Sequence, residues 1–280
     1  MRQSARRRER RSRSTTTLAG PAYITRNIPY YAFLDEDALQ RIEDHADWIL
    51  QEIGIEFSED PNAPKRWREA GADVKESRVR LPKGMARKLL ETAPAEFEQQ
   101  SRNPAKSVRI GGKHTVFAPI YGAPFVRCLS KGRCYGSIAD FENLVTLTAM
   151  LPSLHHSGFV TCEPCDVPVN KRHLDMLYGH MRWSEKPSLG AITEKSRAED
   201  SVEMCRILHG ADTLEDKCVI MGNVNTNSPM LVDKVVTEAI EVYCGANQGI
   251  VVVPFILGGA MGPVTTAAGV AQALAEGMAC

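Results

Sequence analysis

GIVVVPFILGGAMGPVTTA, from Gly249 to Ala267, passes from an apolar run into a glycine-rich turn. Ile250 to Leu257 is almost wholly apolar and rich in branched residues, which suits a strand buried on both faces, as in a parallel sheet covered by helices. Gly258-Gly259-Ala260-Met261-Gly262-Pro263 then gives up bulk for backbone freedom, so the loop can pass close to a ligand, and Pro263 with Thr265 opens the next helix. Strand, glycine loop and helix in that order is where α/β enzymes place their chemistry. An ordinary tight βα turn has the same local pattern, so this stretch alone leaves both readings open.

Upstream, the rhythm repeats. A helix from Ile138 to Met150 precedes a strand at Ser157–Thr161, and a helix from Asn170 to Met181 precedes a strand at Ser188–Ile192. Lys195 to Leu208 reads as helix, Cys218–Met221 as strand and Leu231 to Cys244 as helix, before the opening strand and a last helix from Val264. Strands alternating with helices at this spacing predict βαβ units in a parallel sheet, either doubly wound or part of a (β/α)₈ barrel. Only four such units fit between Ser137 and Cys280, where a barrel needs eight in about 250 residues. The expectation is therefore an open sheet of few strands or the first half of a barrel.

The preceding residues follow another pattern. Asp35 stands at an N-cap with Glu36 and Asp37 behind it, the apolar positions Leu39, Ile42, Ala46, Ile49, Leu50 and Ile53 recur at helical spacing, and Gly54 sits at a C-cap. A second helix opens at Asp60-Pro61 and stops at Gly71, and a third runs from Pro82 to Thr92, with Val79-Arg80-Leu81 extended between them. Val108–Ile110 and Thr115–Ala118 read as strands, and Val126–Leu129 turns at Lys131-Gly132 into a hairpin. The predicted division is a basic tail over 1–26, a helical and β-hairpin extension over 27–136, and four βα units over 137–280.

Composition bounds the function. The 280 residues are 43% hydrophobic and 24% charged with formal net charge +0, a globular balance that argues against nucleic acid as the main partner. No apolar run approaches the roughly 18 residues of a membrane span. Eight scattered cysteines indicate reduced thiols in a cytoplasmic protein. Arg2, Arg6, Arg7, Arg8, Arg10, Arg11 and Arg13 crowd the start, but Ser14-Thr15-Thr16-Thr17 follows where a signal peptide would be apolar; a disordered basic tail is the expectation.

In a parallel sheet the C-terminal strand ends share one side, which collects Glu163, Glu194, Asn223, Asn225, Asn227 and the Gly258–Pro263 loop. Asn-rich loops also serve as plain turns. Tyr121, between small residues, offers an aromatic face suited to a methylated ammonium, whereas Phe125 reads as core. Cys162-Glu163-Pro164-Cys165 has the spacing of a redox pair, but Pro168 interrupts a helix starting there, and zinc would need His155, His156 or His173 from elsewhere. Unpaired thiols are the expectation, with no metal and no nucleotide-phosphate motif.

Several of these stretches together resemble the trimethylamine methyltransferase family: Pro254–Thr265, Gly136-Ser137-Ile138-Ala139-Asp140-Phe141, the Asp166-Val167-Pro168 loop, and Ala46, Leu50 and Gly54-Ile55. The resemblance implies a (β/α)₈ barrel with an N-terminal extension, of which this sequence is the N-terminal part. It implies transfer of a methyl group from a methylamine, or a quaternary amine such as glycine betaine, to the cobalt of a corrinoid carried by a separate protein. No cofactor is then held by this chain directly, and the full-length form is a homo-oligomer in one-carbon metabolism or methanogenesis. The later segment that separates pyrrolysine from non-pyrrolysine branches is not in this sequence. On this reading Tyr121 and Glu163 hold the cation, Asn223 and Asn225 orient it, and Gly258, Gly259 and Met261 wall the pocket; no catalytic residue is assigned. Two other readings remain: a shortened, inactive form with only a binding role, whose exposed strand edges would pair or aggregate, and an open-sheet thiol oxidoreductase using Cys162 and Cys165.

Overall fold

The computed structural model describes residues 20–280; the arginine-rich start, at 1–19, lies outside the described residues. The elements are β1 (Ile24–Thr25), α1 (Glu36–Trp48), β2 (Ile55–Ser58), α2 (Asn62–Ala70), β3 (Asp73–Lys75), β4 (Arg78–Arg80), α3 (Met85–Leu90), β5 (Glu96–Gln99), β6 (Val108–Gly111) and β7 (His114–Thr115). There follow β8 (Phe125–Cys128), β9 (Gly132–Tyr135), α4 (Ile138–Met150), α5 (Arg172–Trp183), β10 (Ser188–Gly190), α6 (Lys195–His209) and α7 (Ala211–Asp216). The chain ends with β11 (Ile220–Asn225), β12 (Leu231–Asp233), α8 (Lys234–Gly245), β13 (Gly249–Val253) and α9 (Thr266–Ala279).

This is a mixed α/β fold of several small sheets, and no closed barrel forms among the described residues. Its centre is the parallel array β10-β11-β13, with Leu189 opposite Met221, Asn223 opposite Val251 and Asn225 opposite Val253. The segment expected as the first strand, 157–161, lies beside β10 without becoming a regular strand. Ser157 N–H donates to Pro187 O and Leu189 N–H to Gly158 O, but Gly158 has φ +75°, which breaks the extended ladder.

Local chemistry sets the helix starts. Ala38 N–H donates to Asp35 Oδ1 at 2.8 Å, so Asp35 caps α1 as expected. Below it, the last turn widens into a π-turn over Ile49–Ile53 and stops at Gly54, φ +72°. A Cβ there would lie 2.5 Å from Val79 O, so only glycine fits. Ser137 and Asp140 form a capping box on α4.

Two cores hold the layers together. One joins Leu50, Ile55, Phe57, Val79 and Leu81 of the N-terminal layer to Val224, Val232, Val236, Ala239, Ala275 and Met278. The other packs Phe141, Val145, Met176, Leu177, Val202 and Ile220 around Tyr243. Each such fully buried side chain contributes about 1.5–3 kcal/mol. β12 ties the halves covalently and by pairing: it leaves the parallel array after β11 and adds to β2 in the sheet β12-β2-β4-β3. Tyr243 threads from α8 against β10 and β11, where Gly190 and Gly222 leave the room. A Cβ at either would sit 2.2 Å and 2.8 Å from its ring or hydroxyl.

The extension differs in detail from its sequence pattern. β6 pairs with β5, while β7, shorter than the strand expected over Thr115–Ala118, pairs with β1. The third helix is shorter than expected and begins after Gly84 at φ +76°.

Candidate functional site

The strand-end side is closed over by residues 117–124, which run along 155–163. His155 N–H donates to Phe117 O, Gly122 N–H to Val160 O and Glu163 N–H to Ala123 O, each at 2.8 Å. That backbone pairing delivers Tyr121 to the end of β11. Its side chain is 43% exposed, yet the hydroxyl end is desolvated and faces the Asn223 side chain. Burial pushes the Tyr121 phenol above its ordinary value; Asn223 pulls it back by hydrogen bonding, and the negative charge of Glu163 adds to the rise. Tyr121 thus lies near Asn223 on β11, and its segment is bonded through Ala123 O to Glu163 N–H.

The loop bearing Glu163 is fixed by the two motifs on either side of it. Ile138 N–H donates to Asp166 Oδ1 at 2.8 Å, and Cys165 N–H to Gly136 O at 2.8 Å. A Cβ on Gly136 would lie 2.7 Å from Glu163 O and 3.1 Å from Cys162 Sγ, which explains the glycine before the capping box. Glu163 itself is not a free anion. Arg172 Nη1 donates to its Oε1 at 2.5 Å, while Arg172 Nε and Nη2 donate to Val167 O. Arg172 escaped the sequence reading; its signal was the Lys171-Arg172 pair of cations opening the helix after the Glu163 loop. Thr161 Oγ1, buried at the same strand end, has no protein partner.

Asn225 lies two residues beyond Asn223 on the same face of β11 and is exposed. Asn227 turns away into the β12 connection, where its Oδ1 accepts from Asp233 N–H. Glu194 pairs with Arg197 at the start of α6, apart from this cluster.

The glycine loop folds on itself. Gly259, at φ +82°, donates its N–H to Gly262 O at 2.9 Å, and Gly258 bridges Gly262. Gln272 of α9 donates to Met261 O at 3.1 Å and to Glu276 Oε1 at 2.9 Å. Glu276 is fully buried and accepts further from Thr226 Oγ1, Ser228 Oγ and Met230 N–H. The loops after β11 and β13 are thus tied through one carboxylate, which places Gly258, Gly259 and Met261 in a loop braced against that of Asn225. The signal for this pair was two polar residues spaced i, i+4 inside the otherwise apolar Val270–Met278.

Other candidates fall away. Burial pushes the Cys162 thiol up to about 11, which disfavours the thiolate that a redox pair needs. His156 accepts from Gly158 N–H at Nδ1 and meets Gln99 Oε1 at Nε2, both nitrogens being spoken for. No group of three or more His, Cys, Asp or Glu is arranged for a metal among the described residues, and no described helix is long and apolar enough to cross a membrane. A large cavity, about 1440 Å³, lies between α1 and α9 and is lined by such residues as Leu39, Trp48 and Val270. It is a mostly apolar trough that reaches Pro229, Met230 and Pro263 of the loops after β11 and β13, with Glu36, Glu43, His45 and Arg78 also on its lining.

A family model described as trimethylamine methyltransferase matches residues 2–280. A glycine betaine methyltransferase from Desulfitobacterium hafniense (strain Y51) is 38% identical over 241 residues, covering 86% of this chain. The chain spans 50% of that relative's length. With a match running over nearly all its residues, the chain belongs to the trimethylamine methyltransferase family.

Proposed function

We propose that the strand-end cluster binds a quaternary or methylated amine and presents one methyl group to a reduced corrinoid held by a partner protein. The observation that carries this is the approach of the Tyr121 phenol to Asn223 on β11, with the Glu163–Arg172 pair on the loop bonded to the Tyr121 segment. A quaternary ammonium is drawn to an aromatic face and to a nearby carboxylate. Because Arg172 already neutralises Glu163, the site offers a balanced pair of charges, which favours a zwitterion bearing its own carboxylate over a bare cation. The glycine betaine methyltransferase likeness supports the same substrate class.

From a quaternary ammonium, or a tertiary amine that arrives protonated, the C–N electron pair would stay on a nitrogen that departs neutral, and the carried Co(I) corrinoid would supply the electron pair that accepts the methyl carbon. The residues of this chain need only hold and aim the donor. Tyr121 and Glu163 fix the cationic end, Asn223 and Asn225 orient it, and Gly258, Gly259 and Met261 close the far wall. Positioning of this kind is worth several orders of magnitude in rate. The open face above Val251, Val253, Phe255 and Asn225, all partly or largely exposed, leaves room for a flat macrocycle.

We further infer that 157–161, β10, β11 and β13 are the first four strands of a (β/α)₈ barrel over 137–280, preceded by the extension at 27–136. The chain order of the parallel strands supports this. Eight free thiols favour a cytoplasmic setting, and we read the full-length form as a homo-oligomer.

The test is turnover. The purified chain is mixed with glycine betaine or trimethylamine and a Co(I) corrinoid protein, and loss of the Co(I) absorbance is followed together with the demethylated amine. Stoichiometric demethylation that Tyr121→Ala abolishes would support the reading; no demethylation of either amine would remove it for this chain.

A further inference from the structure

We propose that the outward face of the β8–β9 hairpin is where the methyl-acceptor protein docks, through an acidic patch of its own. This rests on the proposed transfer to a carried corrinoid and adds the surface that would bring the carrier to the site.

The hairpin has a charge arrangement that its own stability does not explain. Arg127 and Arg133 stand directly opposite each other across the ribbon, a placement that destabilises a strand pair when the charges are alike. Residues 125–135 hold Arg127, Lys131 and Arg133 and no acid, in a chain of formal net charge +0. The ion pairs among the described residues include none of these three. One of the cations is nevertheless held in place. The Arg133 guanidinium lies 3.8 Å from the Phe125 ring centroid, and Phe125 packs on Tyr135 at 4.6 Å. A guanidinium fixed on an aromatic base loses little further freedom on binding a carboxylate.

The two faces of the ribbon differ. Val126 packs inward against the second core, while both arginines are exposed, Tyr135 is 65% exposed and Leu129 at the turn is fully exposed. An apolar tip among cations is the composition of an interface rather than of a solvated turn. Its place is equally specific. The hairpin's root is bonded to the site loop, with Ala123 O accepting from Glu163 N–H and Pro124 O from Gly136 N–H. The charged face therefore borders the mouth that holds Tyr121. A carboxylate-bearing protein surface fits this small patch better than nucleic acid, which calls for a longer basic track. Opposite charges here would steer the carrier to the mouth and make association salt-sensitive.

The experiment uses the full chain, a purified corrinoid protein and a duplex oligonucleotide, with surface plasmon resonance at 50 and 300 mM NaCl. Calorimetry with glycine betaine follows on the same proteins. The proposal expects salt-sensitive binding of the corrinoid protein that Arg127→Glu/Arg133→Glu weakens at least tenfold, with amine binding unchanged. Arg127→Lys/Arg133→Lys should keep most of the affinity. The single change Arg127→Glu replaces a like-charge pair with an opposite one, so its thermal midpoint should equal or exceed that of the unmodified chain while docking falls; this separates docking from folding. Variants that bind the corrinoid protein as tightly as the unmodified chain would overturn the docking surface and leave amine binding standing. Salt-sensitive binding of the oligonucleotide at least as tight as that of the corrinoid protein, and lost in Arg127→Glu/Arg133→Glu, would overturn it in favour of nucleic acid. Normal, salt-sensitive docking without amine binding would instead remove the proposed function and keep the surface.

Discussion

Gly136→Ala should damage the chain and its site together, although glycine to alanine is among the smallest of substitutions. The added Cβ would lie 2.7 Å from Glu163 O, so the two atoms must part by about 0.6 Å to reach an ordinary C···O contact. The obstacle is backbone, and it has little freedom to yield: Glu163 N–H is bonded to Ala123 O and Cys165 N–H to Gly136 O itself. Overpacking of this kind costs about 1–3 kcal/mol, or roughly 2–10 °C in thermal midpoint for a chain of this size. The displaced loop also carries the carboxylate that acts on Tyr121, so the Tyr121 phenol titration should move as well. Gly269→Ala is the control. Gly269 lies inside α9 with nothing within 4 Å of the added Cβ, so it should stabilise by about 0.5–1 kcal/mol. Thermal unfolding by circular dichroism and ultraviolet difference titration read the two effects. Gly136→Ala that melts with or above the unmodified chain and titrates identically would refute the steric reasoning.

The remaining predictions concern the supports of the site. Glu276→Gln sets an amide N–H₂ against donors that now converge on a carboxylate, and should cost about 1–3 kcal/mol in urea unfolding; an unchanged midpoint would mean the Gln272–Glu276 tie is not structural. Tyr243→Phe removes the bond to Ala191 O at 2.8 Å and should cost about 1 kcal/mol, with loosening of β10 against β11 seen as faster amide exchange there. Burial lowers the His156 and His180 imidazoles to about 3 and about 4. Both are depressed in the folded state, so their contribution is complete above the unfolded value near 6.5 and is lost as pH falls through that value toward 4. Two such groups give a slope of up to roughly 2.7 kcal/mol per pH unit in that window, measured by urea unfolding between pH 7.5 and 4. A flat profile there would show that these histidines are not held neutral.

The parts of this fold written locally were legible. Asp35, Gly54 and Gly71 mark helix ends through chemistry that acts within a few residues, and β13 announces itself by a continuous branched run, whereas β10 and β11, broken by Gly190, Gly222, Asn223 and Asn225, do not. What could not be read depends on distant partners. Nothing within Leu231–Asp233 says that it pairs with Ile55–Ser58, and nothing near Thr115 says that Ile24–Thr25 will find it. The first strand failed as a regular strand because Gly158 takes φ +75°, which its apolar neighbours conceal. The site divides in the same way. Strand-end position points to Glu163 and Asn223, because a parallel sheet puts such ends on one side, and Tyr121 stands out separately for its aromatic face in a turn. The neutralising Arg172 came from the following helix, and Glu276 came from the last one; both needed three-dimensional proximity to be seen.

The most direct test of the account places the amine itself. With the Tyr and Trp rings isotope-labelled, nuclear Overhauser contacts are recorded from the N-methyl protons of bound glycine betaine to the purified chain. The account predicts contacts to the Tyr121 ring that vanish when Tyr121 is replaced by leucine. Contacts instead to Trp48, in the trough between α1 and α9, would contradict it.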